Sequence, residues 1–218
     1  MYEHERASAI GWADRAAEIA MGLFRGDGLE IRRKADMTLV TQADTSVERM
    51  LREQIEAAFP EDAILGEEEG GTHDPSGRVW IVDPIDGTAN FARGVQVWAT
   101  LIALQIDGEG ALGVVNAPAL GERYVAVRGE GATMNGSPIR VSDVAEVQDA
   151  HMLVARGSAE AMLEPRLATW DLAAPQVVVE EAGGRCTTFE GGPLGHERSM
   201  LATNGLLHDA LLARLAGP

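Results

Sequence analysis

The chain has 218 residues, 45% of them hydrophobic and 24% charged, enough for a sizeable core in one domain or two tightly packed halves. A formal net charge of −16 argues against nucleic acid as a partner, because a polyphosphate backbone would be repelled. No apolar run approaches the roughly 18 residues of a membrane span, and the charged, amphipathic N-terminal stretch carries no secretion signal. With a single cysteine, Cys186, no intrachain disulfide can form, so the sequence predicts a cytoplasmic protein without a membrane partner.

The first predicted helix runs from Glu5 to Phe24, on the spacing of Ile10, Ala13, Ala17, Ala20 and Phe24. The second lies in TQADTSVERMLREQIEAAFP. There Thr41 and Asp44 form a capping pair, Val47, Leu51, Ile55 and Phe59 define one face, and Pro60 stops the helix. Asp44 thus sits near a helix start, where the dipole favours an anion. Next, ILGEEEGG sets Glu67, Glu68 and Glu69 after an apolar run. Glu69 reads as a solvated charge; Glu67 reads equally as a solvated charge or as a ligand.

From residue 79 the pattern changes to short runs rich in β-branched residues: VWIV, WATLIALQI, ALGVVNA and RYVAVRG. The turn signals Asp107-Gly108, Arg128-Gly129 and Asn135-Gly136 predict hairpins and an antiparallel or mixed sheet. In the last third, DLAAPQVVVEEAGG predicts a helix with Asp171 at its start and Pro175 in or just past its first turn. RCTTFEG and SMLATN predict strands, Cys186 being a small apolar strand residue, and GLLHDALLARLAGP predicts a closing helix.

The stretch WIVDPIDGTANF carries the chemistry. Asp83 ends a buried strand, and Pro84 keeps it extended and interrupts the ladder. The chain then turns, so Asp86 can return to the side of Asp83, while Gly87 permits an unusual dihedral or the close approach of a ligand. Locally this is either a turn capped by Asp86 or a joint site, with carboxylates for a hard cation and the Gly87 and Thr88 amides for phosphate. Asp171, read alone, is a helix N-cap.

Glu67-Glu68, WIVDPIDGTANF and WDLAAPQVVVEEAGG resemble the three signature blocks of the inositol monophosphatase family of metal-dependent phosphomonoesterases, in the same order and at fitting spacing. GVQVWATLIAL, GVVNAPAL and ATNGLLHDALLARL are most similar to the actinobacterial-type histidinol-phosphate phosphatases within that family. The resemblance implies an α/β (α+β) fold, a layered αβαβα sandwich of the inositol monophosphatase and fructose-1,6-bisphosphatase type. It implies a half spanning 1–145 and a smaller α/β half spanning 146–218, with the site between them, in a homodimer. It assigns Glu67, Asp83, Asp86, Asp171 and the carbonyl of Ile85 to two or three Mg²⁺ ions, and Glu68 to a place behind them. Gly87 and Thr88 match the phosphate-cradling amides, and Thr88 with Asp44 the pair that orients the attacking water. The implied reaction is in-line attack of a metal-activated water on a small phosphorylated metabolite, with histidinol phosphate ahead of inositol phosphate and other sugar or nucleotide phosphates. Asp171 also borders the substrate, and Glu164, otherwise a surface glutamate before Pro165, matches a substrate-contacting position suited to an ammonium group. A catalytically silent metal- or phosphate-binding regulator is the reading from another class, and the complete ligand set argues against it.

The resemblance breaks between Ala150 and His151, where the family carries several dozen further residues, including a strand and a helix. The expectation is that the sequence omits a natural stretch here and that these two residues are not bonded neighbours.

Overall fold

The computed structural model describes residues 2–35, 37–71, 76–146, 160–194 and 198–217. Two helices cover one face of a large sheet. In α1 (Glu3–Leu23) the buried side chains are Ala9, Trp12, Ala13, Ala16 and Ala20, while Ile10 and Ala17 of the expected face are only half buried. Alanines let α1 lie close to its neighbours, and Trp12 fills the remaining space edge-on to Trp80 at 5.0 Å. In α2 (Gln42–Ala58) the Thr41 hydroxyl accepts from Ala43 N–H at 3.1 Å and Asp44 accepts from Thr41 N–H at 2.8 Å, the expected capping pair.

The sheet has eight strands: β3 (Ala63–Gly66), β4 (Gly70–Gly71), β5 (Arg78–Asp86), β6 (Ala99–Ile106), β7 (Glu109–Ala117), β8 (Glu122–Val127), β9 (Gly131–Met134) and β10 (Ser137–Ile139). They are ordered β10-β9-β8-β7-β6-β5-β3-β4, and only β3 and β5 run parallel. The turns are those expected: Asp107 and Asn135, each followed by glycine, hold φ of 54° and 49°, the mirror-image turns that match strand twist. A small hairpin of β1 (Ile31–Arg33) and β2 (Leu39–Thr41), absent from the sequence expectations, leads into α2.

β5 is buried on both faces. Trp80 and Val82 join the core beneath α1 and α2, whereas Val79 and Ile81 pack on the opposite side against Ala173 and Ala174 of α4 (Thr169–Glu181). The close approach of α4 to β7 requires glycine at 113, since a Cβ there would lie 2.6 Å from the Ala174 carbonyl oxygen. Beyond α4 comes a three-stranded sheet, β11 (Ala161–Leu167), β13 (Arg198–Thr203) and β12 (Arg185–Thr187) in spatial order, into which Leu172 packs beside Cys186 and Met200. The closing helix α5 (His208–Leu215) covers its far side through Leu211 and Leu201. The result is the expected αβαβα layering. Pro175 is the seventh residue of α4, so the Asp171 carbonyl one turn earlier receives no helical N–H.

His208 ties α5 to the small sheet. It is fully buried, with Nε2 2.9 Å from Thr187 Oγ1 and Nδ1 3.0 Å from Thr203 Oγ1. The Thr187 hydroxyl hydrogen goes to the Thr188 carbonyl at 2.8 Å, so Thr187 accepts from Nε2–H and Nδ1 accepts from Thr203. Burial, and then the nearby Arg185, push the imidazole pKa down. The unfolded chain takes up this proton at about pH 6.5 while the folded chain resists it, so stability should fall as pH drops through that value. His208→Gln should lower stability at pH 7.5 and flatten the loss between pH 7 and 5.5 in urea unfolding. An unchanged slope would refute the assignment.

Candidate active site

The site begins with a fault in the sheet. The β5–β6 register runs to Asp83 opposite Leu101, then resumes at Asp86 opposite Ala99. Three steps along one strand against two along its neighbour make a bulge at Pro84 and Ile85. In a regular strand, residues three apart face opposite sides; the extra residue turns Asp83 and Asp86 to the same side. Pro84 therefore interrupts the ladder as expected, though the ladder resumes beyond it. Gly87 follows at φ 84° and opens the short helix α3 (Thr88–Ala92), whose later N–H groups bond the Gly87 carbonyl. The N–H groups of Thr88 and Ala89 belong to its first turn and have no acceptor within it.

Asp171 arrives from α4. It is the third helical residue rather than the N-cap, and its Oδ2 accepts from Ala168 N–H at 2.8 Å. One carboxylate oxygen each of Asp83, Asp86 and Asp171 lie within 4.8 Å of one another. Asp83 is 1% exposed, and its Oδ1 is buried with no hydrogen-bond partner among the described residues. Burial, then Glu67, Asp86 and Asp171, push its pKa well up. At the mouth of the site, enclosure by protein, then Asp171, Glu67 and Glu164, push Asp86 up to about 6. Burial also raises Asp171, against its bond from Ala168. An unpartnered buried oxygen among carboxylates that resist ionising together is what a cation site looks like when only protein atoms are considered. The donors are all oxygen, which suits a hard divalent ion.

Glu67 lies against Asp83, and its pKa is raised by burial against the pull of Lys34. It lies outside the close trio, because Lys34 Nζ holds its Oε1 at 2.9 Å and Glu68 Oε1 at 2.7 Å. Burial opposes the Lys34 charge, yet Glu68 and Glu67 outweigh it and hold the ammonium above its usual range. Burial pushes Glu68 up to about 7. Glu69 is exposed, as expected of a solvated charge. Asp44 is fully buried, and its Oδ1 lies 2.9 Å from Thr88 Oγ1, which is also 3.0 Å from the Ile85 carbonyl. Glu164 in β11 is half buried and acts electrostatically on Asp86. Sequence reasoning missed Lys34. One lysine in RRKADMTLV carries no local signal, and only the unexpected hairpin brings it to the glutamates.

The inositol monophosphatase family model matches residues 1–154 and 150–217. A histidinol-phosphatase of Mycobacterium tuberculosis is 42% identical, over 95% of this chain and 96% of its own length. An inositol-1-monophosphatase of Mesorhizobium japonicum is 30% identical over 87% of each. The solved structure of a Thermotoga maritima IMPase superposes with a TM-score of 0.84 at 29% identity, covering 95% of both chains. The M. tuberculosis alignment spans 249 positions, more than the 218 residues here, so that relative has residues without a counterpart in this chain. The two matched segments of the family model overlap at residues 150–154, and the expected break between Ala150 and His151 lies outside the described residues.

Like charges at the end of β5 make the metal-free site a source of instability. Added Mg²⁺ should raise the melting temperature. Asp83→Asn should raise it without Mg²⁺ and cut the Mg²⁺-dependent gain, read by differential scanning fluorimetry. A destabilised metal-free Asp83→Asn protein would contradict this reading.

Proposed function

The chain belongs to the inositol monophosphatase family, and within it we propose a Mg²⁺-dependent phosphatase that converts L-histidinol phosphate to L-histidinol in histidine biosynthesis. That it is a phosphoric monoester hydrolase follows from the family and from its histidinol-phosphatase relatives. The observation that carries the metal reading is that Asp83, whose buried Oδ1 has no hydrogen-bond partner among the described residues, clusters with Asp86 and Asp171. These three residues, the Ile85 carbonyl and Glu67 would hold two Mg²⁺ ions and a weaker third. Bound there, Mg²⁺ supplies Lewis acidity, lowering the pKa of water and drawing charge from phosphoryl oxygens.

The protein's own groups do the positioning. Thr88 has one hydroxyl hydrogen, and giving it to Asp44 leaves the Thr88 oxygen lone pairs free to accept from the attacking water. Asp44 is fixed in turn by Thr41 N–H, so the pair holds the water in line with phosphorus. The Gly87 and Thr88 amides cradle the phosphate. Glu68 stands behind Glu67 through their shared Lys34. Asp171 borders both metal and substrate, between a half running to about residue 145 and a second from residue 146. No covalent phosphoenzyme is required, and Cys186, buried with its thiol pKa pushed up, takes no part.

Two observations support histidinol phosphate: the histidinol-phosphatase relative is more similar than the inositol-1-monophosphatase one, and Glu164 is near enough to act electrostatically on Asp86, where a carboxylate suits a substrate ammonium. The inositol-1-monophosphatase relative favours the second reading, inositol 1-phosphate or a broad range of sugar and nucleotide monophosphates. Phosphate release across histidinol phosphate, inositol 1-phosphate and a nucleotide monophosphate, with Mg²⁺ titrated, decides between them. Histidinol phosphate should lead, and Glu164→Gln should raise its KM about tenfold, the scale of one lost charged hydrogen bond, with little effect on inositol phosphate. A preference for inositol phosphate overturns the substrate, equal effects overturn the role of Glu164, and no release despite bound metal favours a silent binding protein.

Among the described residues no helix is long and apolar enough to cross a membrane, consistent with the cytoplasmic enzyme we propose. For a homodimer the support is the exposed apolar side chains of Met21, Val95 and Val97, on two segments that Arg25 joins through its 2.8 Å bond to the Gly94 carbonyl. Light scattering should give twice the 23.2 kDa chain mass; a monomer would refute this.

A further inference from the structure

One turn after Asp44, α2 carries a second carboxylate that the reaction as derived leaves without a role. Glu48 is fully buried. Its Oε2 accepts from Glu68 N–H at 2.7 Å and its Oε1 from Glu69 N–H at 2.9 Å. Arg52 closes the group, with Nε 3.0 Å and Nη2 2.9 Å from the same Oε1, and continues to the Gly70 carbonyl and, at 3.6 Å, to the Glu69 carboxylate. A buried carboxylate is costly unless its oxygens are satisfied, and here every donor comes from Arg52 or from the turn between β3 and β4. That turn is Glu67-Glu68-Glu69, closed where Gly66 pairs with Gly70. β3 gives up a side chain to admit the carboxylate: a Cβ on Gly66 would lie 2.1 Å from Glu48 Oε1 and 2.8 Å from Arg52 Nη2.

We propose that Glu48, backed by Arg52, is a positioning residue that fixes the Glu67 turn from beneath and so sets the affinity of the Asp83 cluster for its divalent cation. Lys34 grips the same turn from the side-chain face, whereas Glu48 grips its backbone. Asp44 and Glu48 are four residues apart on one helix face, so α2 carries both the residue that orients the attacking water and the residue that places the Glu67 ligand. The inference rests on the metal reading proposed above.

The test is Glu48→Gln, which keeps the volume but replaces one acceptor oxygen with an NH₂ that faces an N–H. The Mg²⁺ dissociation constant from calorimetric titration, and the Mg²⁺ concentration for half-maximal phosphate release, should both rise about tenfold, the scale seen when groups behind metal ligands are altered. The value of kcat at saturating Mg²⁺ should change far less. Gly66→Ala should give the same pattern from the other side of the contact, and Arg52→Lys a milder one. Lower urea stability with unchanged Mg²⁺ affinity would mean a purely structural role and overturn the inference. If Glu48→Gln does not fold, Arg52→Lys carries the same decision. Wild-type protein measured alongside separates the two levels. If it neither binds Mg²⁺ nor releases phosphate, the metal reading itself fails; if it does both and the variants match its affinity, only the role of Glu48 fails.

Discussion

The architecture turns on the repulsion gathered at the end of β5. Asp83, Asp86 and Asp171 meet there, with Glu67 against Asp83, and burial and mutual repulsion raise their pKa values together. Unit charges about 4 Å apart repel by about 4 kcal/mol at the effective dielectric of a protein surface, a large share of a domain's net stability. A fold keeps such an arrangement only if something else holds the carboxylates in place, and here the helical layers and the sheets between them do so. The strain at one point is offset by packing everywhere else, and a divalent cation removes its cause.

Three local devices deliver the carboxylates. A bulge at Pro84 and Ile85 turns two aspartates of one strand to the same side. The first turn of α4 presents Asp171 from the opposite layer, held by Ala168 N–H. The capped start of α2 fixes Asp44 against Thr88. Each uses backbone geometry rather than long flexible side chains, which suits groups that must be held to fractions of an ångström.

Much of this was legible in the sequence. The period of Val47, Leu51 and Ile55, with Thr41 and Asp44 before them, marks α2 because capping and periodicity are local properties. Asp107-Gly108 and Asn135-Gly136 mark hairpins for the same reason. Asp83 and Asp86 could be read as partners across a turn, but a bulge is a mismatch between two strands and cannot be seen in one. The family resemblance, not the local pattern, pointed to Glu67, Asp171 and Asp44 as one site. Lys34 and the β1–β2 hairpin escaped notice because three-residue strands carry too little pattern, and strand β11 because Pro165 interrupts it. Asp171 read as an N-cap because Ala168, the true cap residue, contributes only its backbone N–H.

The seat of α4 reaches beyond the site. With glycine at 110 and 113, the helix rests on bare backbone of β7, and its far end is tied to the same sheet through Glu181, whose carboxylate accepts from Gly129 N–H and Gly131 N–H at 2.9 Å each. The distance from Asp171 to Asp83 is then that of a rivet rather than of a leash, since α4 carries the first and the sheet it is seated on carries the second.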